Sequence, residues 1–379
     1  MAVRAHLSRR TLLRTTLTAA GLRALPAFAS APAGRALVCI YLSGGNDSNN
    51  MLVPLVDYDA YAAARGSLAL SRESLIRVTS GLDQGAFGFH GSLPEVADLF
   101  QRGAVAVAGS VGRQSGPAAP DPYLDYFPGG YAVPGWVARM AGITEQNRRS
   151  LLVDFPNLAG RNSTTSMSLV TPGVASTDAL RDAVFRAAAN PGKRIGTAFP
   201  ATGLGQQLRQ VAALIAGADT LGMGRQVFLC TLGGFATTQN ELAIQAELFR
   251  ELSTAMSAFY AAMVEIGQAQ TVTAYTDTEY SRTLRPNAFG GSDPAWGGHN
   301  LVMGGSVLGG NVYGPFPAPT LAAAPHDRNG RGILLPANSK QQYYATLANW
   351  FGVSSSQISE YLPGAAASAR RTLGFMVTG

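Results

Sequence analysis

The sequence predicts an α/β fold with a mostly parallel central sheet and helices on both of its faces. Two patterns predict it. Short β-branched runs at 36–42, 104–109, 226–232 and 271–275 are apolar on both sides, as strands of a covered parallel sheet must be. Segments with helical spacing alternate with them at 92–103, 176–189, 203–216, 241–268 and 339–351.

The first 31 residues do not read as part of that fold. Arg4, Arg9, Arg10 and Arg14 open the chain, a mildly apolar stretch covers 15–25, and Ala27-Phe28-Ala29-Ser30-Ala31 is a run of small residues around one Phe. Basic, apolar, then small residues is the order of an export signal. Ser8-Arg9-Arg10-Thr11-Leu12-Leu13 matches the twin-arginine pattern, and Arg23 interrupts the apolar stretch, which makes it a poor membrane span. Residues 1–31 are therefore expected to be a twin-arginine signal peptide, and 32–379 a single domain in the periplasm or outside the cell. The whole chain carries a formal charge of +6; removing five arginines and no acids leaves 6 − 5 = +1. No basic footprint for nucleic acid remains, and no later stretch is apolar enough to be expected to cross a bilayer.

Within the domain, the first strand at 36–42 runs into Ser43-Gly44-Gly45-Asn46-Asp47. Ser92, Pro94 and Glu95 have capping-box spacing with proline in the first turn, opening the helix that follows. The segment 112–134 is rich in Gly and Pro but too aromatic for a free tether. Cys39 and Cys230 each lie in a strand-like run, where neighbouring parallel strands rarely suit a disulfide, so two buried free thiols are expected. The long helix at 241–268 and the last one, closed by Gly352, complete the pattern.

Open parallel sheets bind ligands at the carboxyl ends of their strands. Three such ends stand out. At the first, two glycines allow a tight turn that would project Asp47 at the sheet edge, where a carboxylate suits a divalent cation; ordinary turn chemistry is the alternative. The second, Gly233-Gly234-Phe235-Ala236-Thr237-Thr238, has the glycines but no ligating side chain. The third runs from Thr276 through Glu279 and Arg282 to a Gly-rich stretch with Asp293, Trp296 and His299. Asp293 and His299 in one loop could wrap an ion; alternatively Trp296 anchors the loop and His299 bonds backbone. Glu279 and Arg282 read as a pair orienting this segment, or as a plain salt bridge. After the signal only His90, His299 and His326 remain, too few for a two-zinc centre. His90 reads as a turn residue and His326 as a loop residue.

These segments carry a resemblance. Gly44-Gly45-Asn46-Asp47 with Val53-Pro54, Leu232-Gly233-Gly234-Phe235, Glu279 through Arg282-Thr283, Trp296-Gly297-Gly298-His299, Val302-Met303-Gly304-Gly305, Gly309-Gly310 and Asn349-Trp350-Phe351-Gly352 resemble the bacterial "domain of unknown function 1501" family. The resemblance implies twin-arginine export and an alkaline-phosphatase/sulfatase-like fold with a metal site at the strand ends. It also exposes departures. Ala236 and Thr238 stand where the family has Asp and His, Pro294 and Asn300 replace two histidines, and Pro120 stands near a third expected histidine. Asp47, Asp293 and His299 survive as candidate ligands of one divalent metal ion.

Two functions follow. One is a non-catalytic or weakly active relative that keeps the fold and binds a protein partner or a surface polymer; each lost ligand favours it. The alternative is a metal-dependent hydrolase of phosphate or sulfate esters, in which the ion polarises the ester and activates the nucleophile.

Overall fold

The computed structural model describes residues 34–82, 85–112, 152–154, 166–170, 194–218, 225–321, 330–366, 368 and 370–377. The expected signal, the expected helix at 176–189, Pro120 and His326 lie outside the described residues. The strands are β1 (Arg35–Ser43), β2 (Leu52–Pro54), β3 (Ile76–Thr79), β4 (Ala86–Phe89), β5 (Val105–Gly112), β6 (Leu152–Asp154) and β7 (Ser166–Val170). They continue with β8 (Arg225–Gly233), β9 (Val272–Asp277), β10 (Ser281–Arg282), β11 (Pro294–Ala295), β12 (Gly298–Gly304), β13 (Val312–Tyr313) and β14 (Asn338–Ser339). The helices used below are α1 (Ser48–Met51), α2 (Tyr58–Arg65), α3 (Pro94–Gln101), α4 (Gly203–Ala216), α5 (Glu241–Glu265) and α6 (Lys340–Trp350).

All four expected strands enter one nine-stranded sheet, ordered β13-β5-β12-β9-β1-β8-β7-β6, with β14 also paired to β5. Its centre is parallel: β1 lies between β8 and β9, Leu37 facing Val227 on one side and Thr273 on the other. Among the described residues only β7 and β12 run against the rest. The sheet is thus mixed but mostly parallel. Two small sheets were not foreseen: β2-β4-β3, and the β10-β11 ribbon.

The period of two along β1 divides the core. Ala36, Val38, Ile40 and Leu42 pack on one face with Leu99 and Phe100 of α3, Leu208 of α4, and Phe249 and Met256 of α5. Leu37, Cys39 and Tyr41 pack on the other with Tyr343, Leu347 and Trp350 of α6. A strand buried on both sides gains twice from apolar contact, each fully buried Val, Leu or Ile contributing about 1.5–3 kcal/mol. That is why β1 carries no charged residue between Ala36 and Leu42. Cys39 and Cys230 are free and buried on opposite faces of the sheet, one register step apart. Opposite faces forbid the disulfide.

Helix α6 begins with a formed capping box, Ser339 with Gln342. The one expected at Ser92 does not form. Leu93 takes the N-cap position, and Glu95 instead accepts a bond from Ser253 Oγ at 2.7 Å, joining α3 to α5. Among the described residues no helix is long and apolar enough to cross a membrane.

Candidate functional site

The carboxyl ends of β1, β8 and β9 do converge, and Arg282 is what joins them. Its guanidinium is buried and donates to Gly45 O (2.9 Å), Gly44 O (2.8 Å), Phe235 O (2.6 Å) and Ser292 O (3.1 Å). Four backbone carbonyls from three loops are thus satisfied by one side chain, as buried acceptors require. The sequence paired Arg282 with Glu279; the structure separates them. Glu279 accepts from Gly44 N at 2.9 Å and Ser43 Oγ at 3.2 Å instead.

The two glycines read as a tight turn are demanded by close approach. Gly44 and Gly45 have φ of +112° and +88°. A Cβ on Gly44 would collide with Ala236 N, and one on Gly45 with the Tyr280 ring.

Asp47 does not project at the sheet edge. It turns inward, caps α1 by accepting from Asn49 N at 3.2 Å, and meets Arg65 Nη2 at 2.5 Å. Arg65 also reaches Glu241 Oε1 at 3.3 Å, and all three side chains are fully buried. Three further oxygens accept from the same guanidinium: Asn50 Oδ1 (3.1 Å), Thr283 O (2.9 Å) and Leu284 O (3.2 Å). Burial alone would lower the Arg65 guanidinium, but the charges of Asp47 and Glu241 outweigh it and hold it above its usual value. Glu241 is pushed up to about 8 by burial first, then by the charge of Asp47 and a hydrogen bond to it. Ser292 Oγ donates to Glu241 Oε2 at 2.5 Å. At neutral pH Glu241 is therefore held mainly as the neutral acid beside the Arg65 guanidinium.

Asp293 and His299 do not share a loop. The β10-β11 ribbon and the start of β12 part them, because Gly298 lets β12 close against Ser48 and Ser281. Asp293 is about a third exposed, forms an ion pair with Arg331, and lies 3.4 Å from Asn287 Nδ2. His299 is buried in a bulge where two residues of β5, Gly109 and Ser110, oppose it. Ser110 has a φ of +47° and donates its N–H to His299 Nδ1 at 2.9 Å. The imidazole stacks on Phe316, centroids 4.1 Å apart, and burial drives it down to about 3. His299 is thus neutral and bonds backbone, while Trp296 is only half-buried. His90, as read, is a turn residue: its Nδ1 accepts from Ser92 N at 3.0 Å, and burial lowers it to about 4.

Backbone contacts bring Asp47, His90 and His299 into one region: Met51 N donates to Asp47 O at 3.2 Å, His90 N donates to Met51 O at 3.1 Å, and Gly298, beside His299, lies against Ser48. The three expected ligands nevertheless do not form one set. Each carboxylate is held by its own arginine, and His299 spends Nδ1 on Ser110. Among the described residues no group of three or more His, Cys, Asp or Glu side chains is placed to hold a metal ion. The residues present do not fit a cation shared by Asp47, Asp293 and His299.

Sequence reasoning missed Arg65, Glu241, Asp277 and Lys340. Asp277 ends β9, accepting from Lys340 Nζ at 2.9 Å and Tyr344 OH at 2.5 Å. Burial lowers the Lys340 ammonium, the carboxylate of Asp277 opposing it. The missed signal was its position: Asp277 ends an apolar strand run. Arg65 gave none, being a basic residue at the end of an Ala-rich helix, an ordinary place for one.

The sequence profile described as "Protein of unknown function (DUF1501)" matches residues 157–362, more than half of the 379-residue chain. Glu241, Asp293 and His299 lie inside that stretch; Asp47 and Arg65 precede it. No curated protein matches the chain. Among solved structures it is similar to one titled "Structure of PH0037 protein from Pyrococcus horikoshii", at 14% identity, with 73% of this chain and 87% of that chain covered and a TM-score of 0.25. On the strength of the matched stretch, the chain belongs to the DUF1501 family.

Proposed function

We propose that this protein is an exported, non-catalytic member of its family that binds a protein partner or a surface polymer. One observation carries the reading: the carboxylate that follows the first strand and its two glycines, Asp47, is closed on the buried guanidinium of Arg65. Catalysis by a divalent ion needs carboxylates free to bind it and an open position for substrate. Here Asp47 would first have to release Arg65, and Asp293 to release Arg331. The substitutions Ala236, Thr238, Pro294 and Asn300 support the same reading, since each stands where the resembled family has a ligand-type side chain. The Ser8-Arg9-Arg10-Thr11-Leu12-Leu13 signature supports twin-arginine export to the periplasm or beyond. An alkaline-phosphatase-like ancestry is part of the proposal.

The test is elemental analysis of the purified protein, with turnover of a panel of phosphate and sulfate esters. The expected result is far less than one equivalent of metal and no chelator-sensitive hydrolysis. Stoichiometric metal, with ester turnover that collapses in Asp47→Ala, would establish the rival reading, a metal-dependent hydrolase.

A further inference from the structure

The environment of Arg65 is that of a bound ion. Its five acceptors are all oxygens: one from Asp47, one from Glu241, one amide oxygen from Asn50, and the backbone carbonyls of Thr283 and Leu284. Carboxylate, amide and carbonyl oxygens converging from separate segments are the donor set of a hard divalent cation such as Ca²⁺. They come from α1 and the turn before it, from the exit of β10, and from the start of α5. The positive charge reaches this seat on the Arg65 side chain, at the last residue of the short helix α2, while Tyr61 OH of the same helix donates to Asn50 Oδ1 at 2.7 Å.

We propose that this is a cation seat whose resident occupant is the chain's own guanidinium, so that the rim assembles without any metal. The inference rests on the reading that the strand-end carboxylates serve structure. It predicts that cutting the side chain back, while leaving every oxygen in place, converts the seat into a binding site for a free cation. Buried acceptors and a carboxylate left without a positive partner cannot stay dry and unpaired, so a small cation of matching donor demand will stabilise the fold by binding it.

The experiment compares thermal melts of the unmodified protein and Arg65→Ala in millimolar methylguanidinium, in Ca²⁺, and in K⁺ at matched ionic strength. Arg65→Ala is expected to melt several degrees lower in K⁺ and to regain much of that loss with methylguanidinium or Ca²⁺. The unmodified protein, its seat filled, is expected to respond to neither. A melt of Arg65→Ala in both methylguanidinium and Ca²⁺ no higher than in K⁺ overturns the proposal, as does the same stabilisation of the unmodified protein. If Arg65→Ala is recovered only as insoluble chain, refolding from urea with and without methylguanidinium replaces the melt. A higher yield with the ion supports the seat; an equal yield overturns it. Ester turnover by the unmodified protein would sink the non-catalytic reading while leaving this comparison to be judged on its own result.

Discussion

Asp47 and Asp293 each meet an arginine, and the same chemistry does opposite things in the two places. The Asp47–Arg65 pair is fully buried, has Glu241 as a third member, and gathers oxygens from three segments. The Asp293–Arg331 pair keeps about a third of each side chain in water. In the first, desolvation makes every partner obligatory; in the second, water can replace either. A carboxylate near a strand end is therefore not one kind of residue. What decides its role is how completely the carboxylate and the arginine beside it are cut off from water.

That contrast can be broken most directly by truncation. Arg65→Ala is expected to cost about 3–5 kcal/mol, the cost of stranding a buried charge, measured by urea unfolding. A loss below about 1 kcal/mol would mean that the buried pair behaves like the surface one. Next comes the pH dependence of the buried cluster. Glu241 titrates near 8 in the fold against about 4.5 when unfolded, so the folded state holds the extra proton and stability falls as pH rises through that window. His90 and His299, lowered to about 4 and about 3, act the other way: stability is lost as pH falls below about 6.5 towards those values. Two rising slopes against one falling slope below about 6.5, and the falling one alone above it, place the maximum near pH 6.5. Thermal melts from about pH 5 to about pH 9 check this, and Glu241→Gln should flatten the decline above the maximum.

A smaller effect is expected at the bulge. His299→Ala leaves the Ser110 N–H unpaired and removes the stack on Phe316, a cost of about 1–3 kcal/mol by urea unfolding. The smallest belongs to the outer pair. Asp293→Asn should change stability by less than about 1 kcal/mol, and that change should shrink further in high salt. If Asp293→Asn proves as damaging as Arg65→Ala, the division drawn between the two pairs is wrong.

How far the sequence reached follows the same line between local and long-range physics. Strands β1, β5, β8 and β9 were legible because two-sided burial leaves an apolar run with no polar alternation. Helix α6 was legible through helical spacing that starts at Ser339 and is closed by Gly352, a local signal. Strand β12 was not, since its glycines and His299 read as a loop; only the approach of Gly298 to Ser48 and Ser281 shows why a strand fits there. At the site, Asp47, Asp293 and His299 were found by residue type, and the gathering of distant loops was anticipated. Their partners were not. Arg65 lies 18 positions beyond Asp47 and Glu241 lies 176 beyond Arg65. No spacing rule links residues so far apart, and the pairing exists only once the helices pack.

The placement of the two thiols has a practical consequence. Cys39 and Cys230 sit in the central strands, each under a different layer of helices, and burial raises both far above the range in which a thiolate reacts. A soluble alkylating reagent can reach either sulfur only when the helical layer over it lifts away. Modification of each cysteine, read separately by mass spectrometry, would therefore time the opening of the two sides of the molecule independently, with no dye or tag introduced.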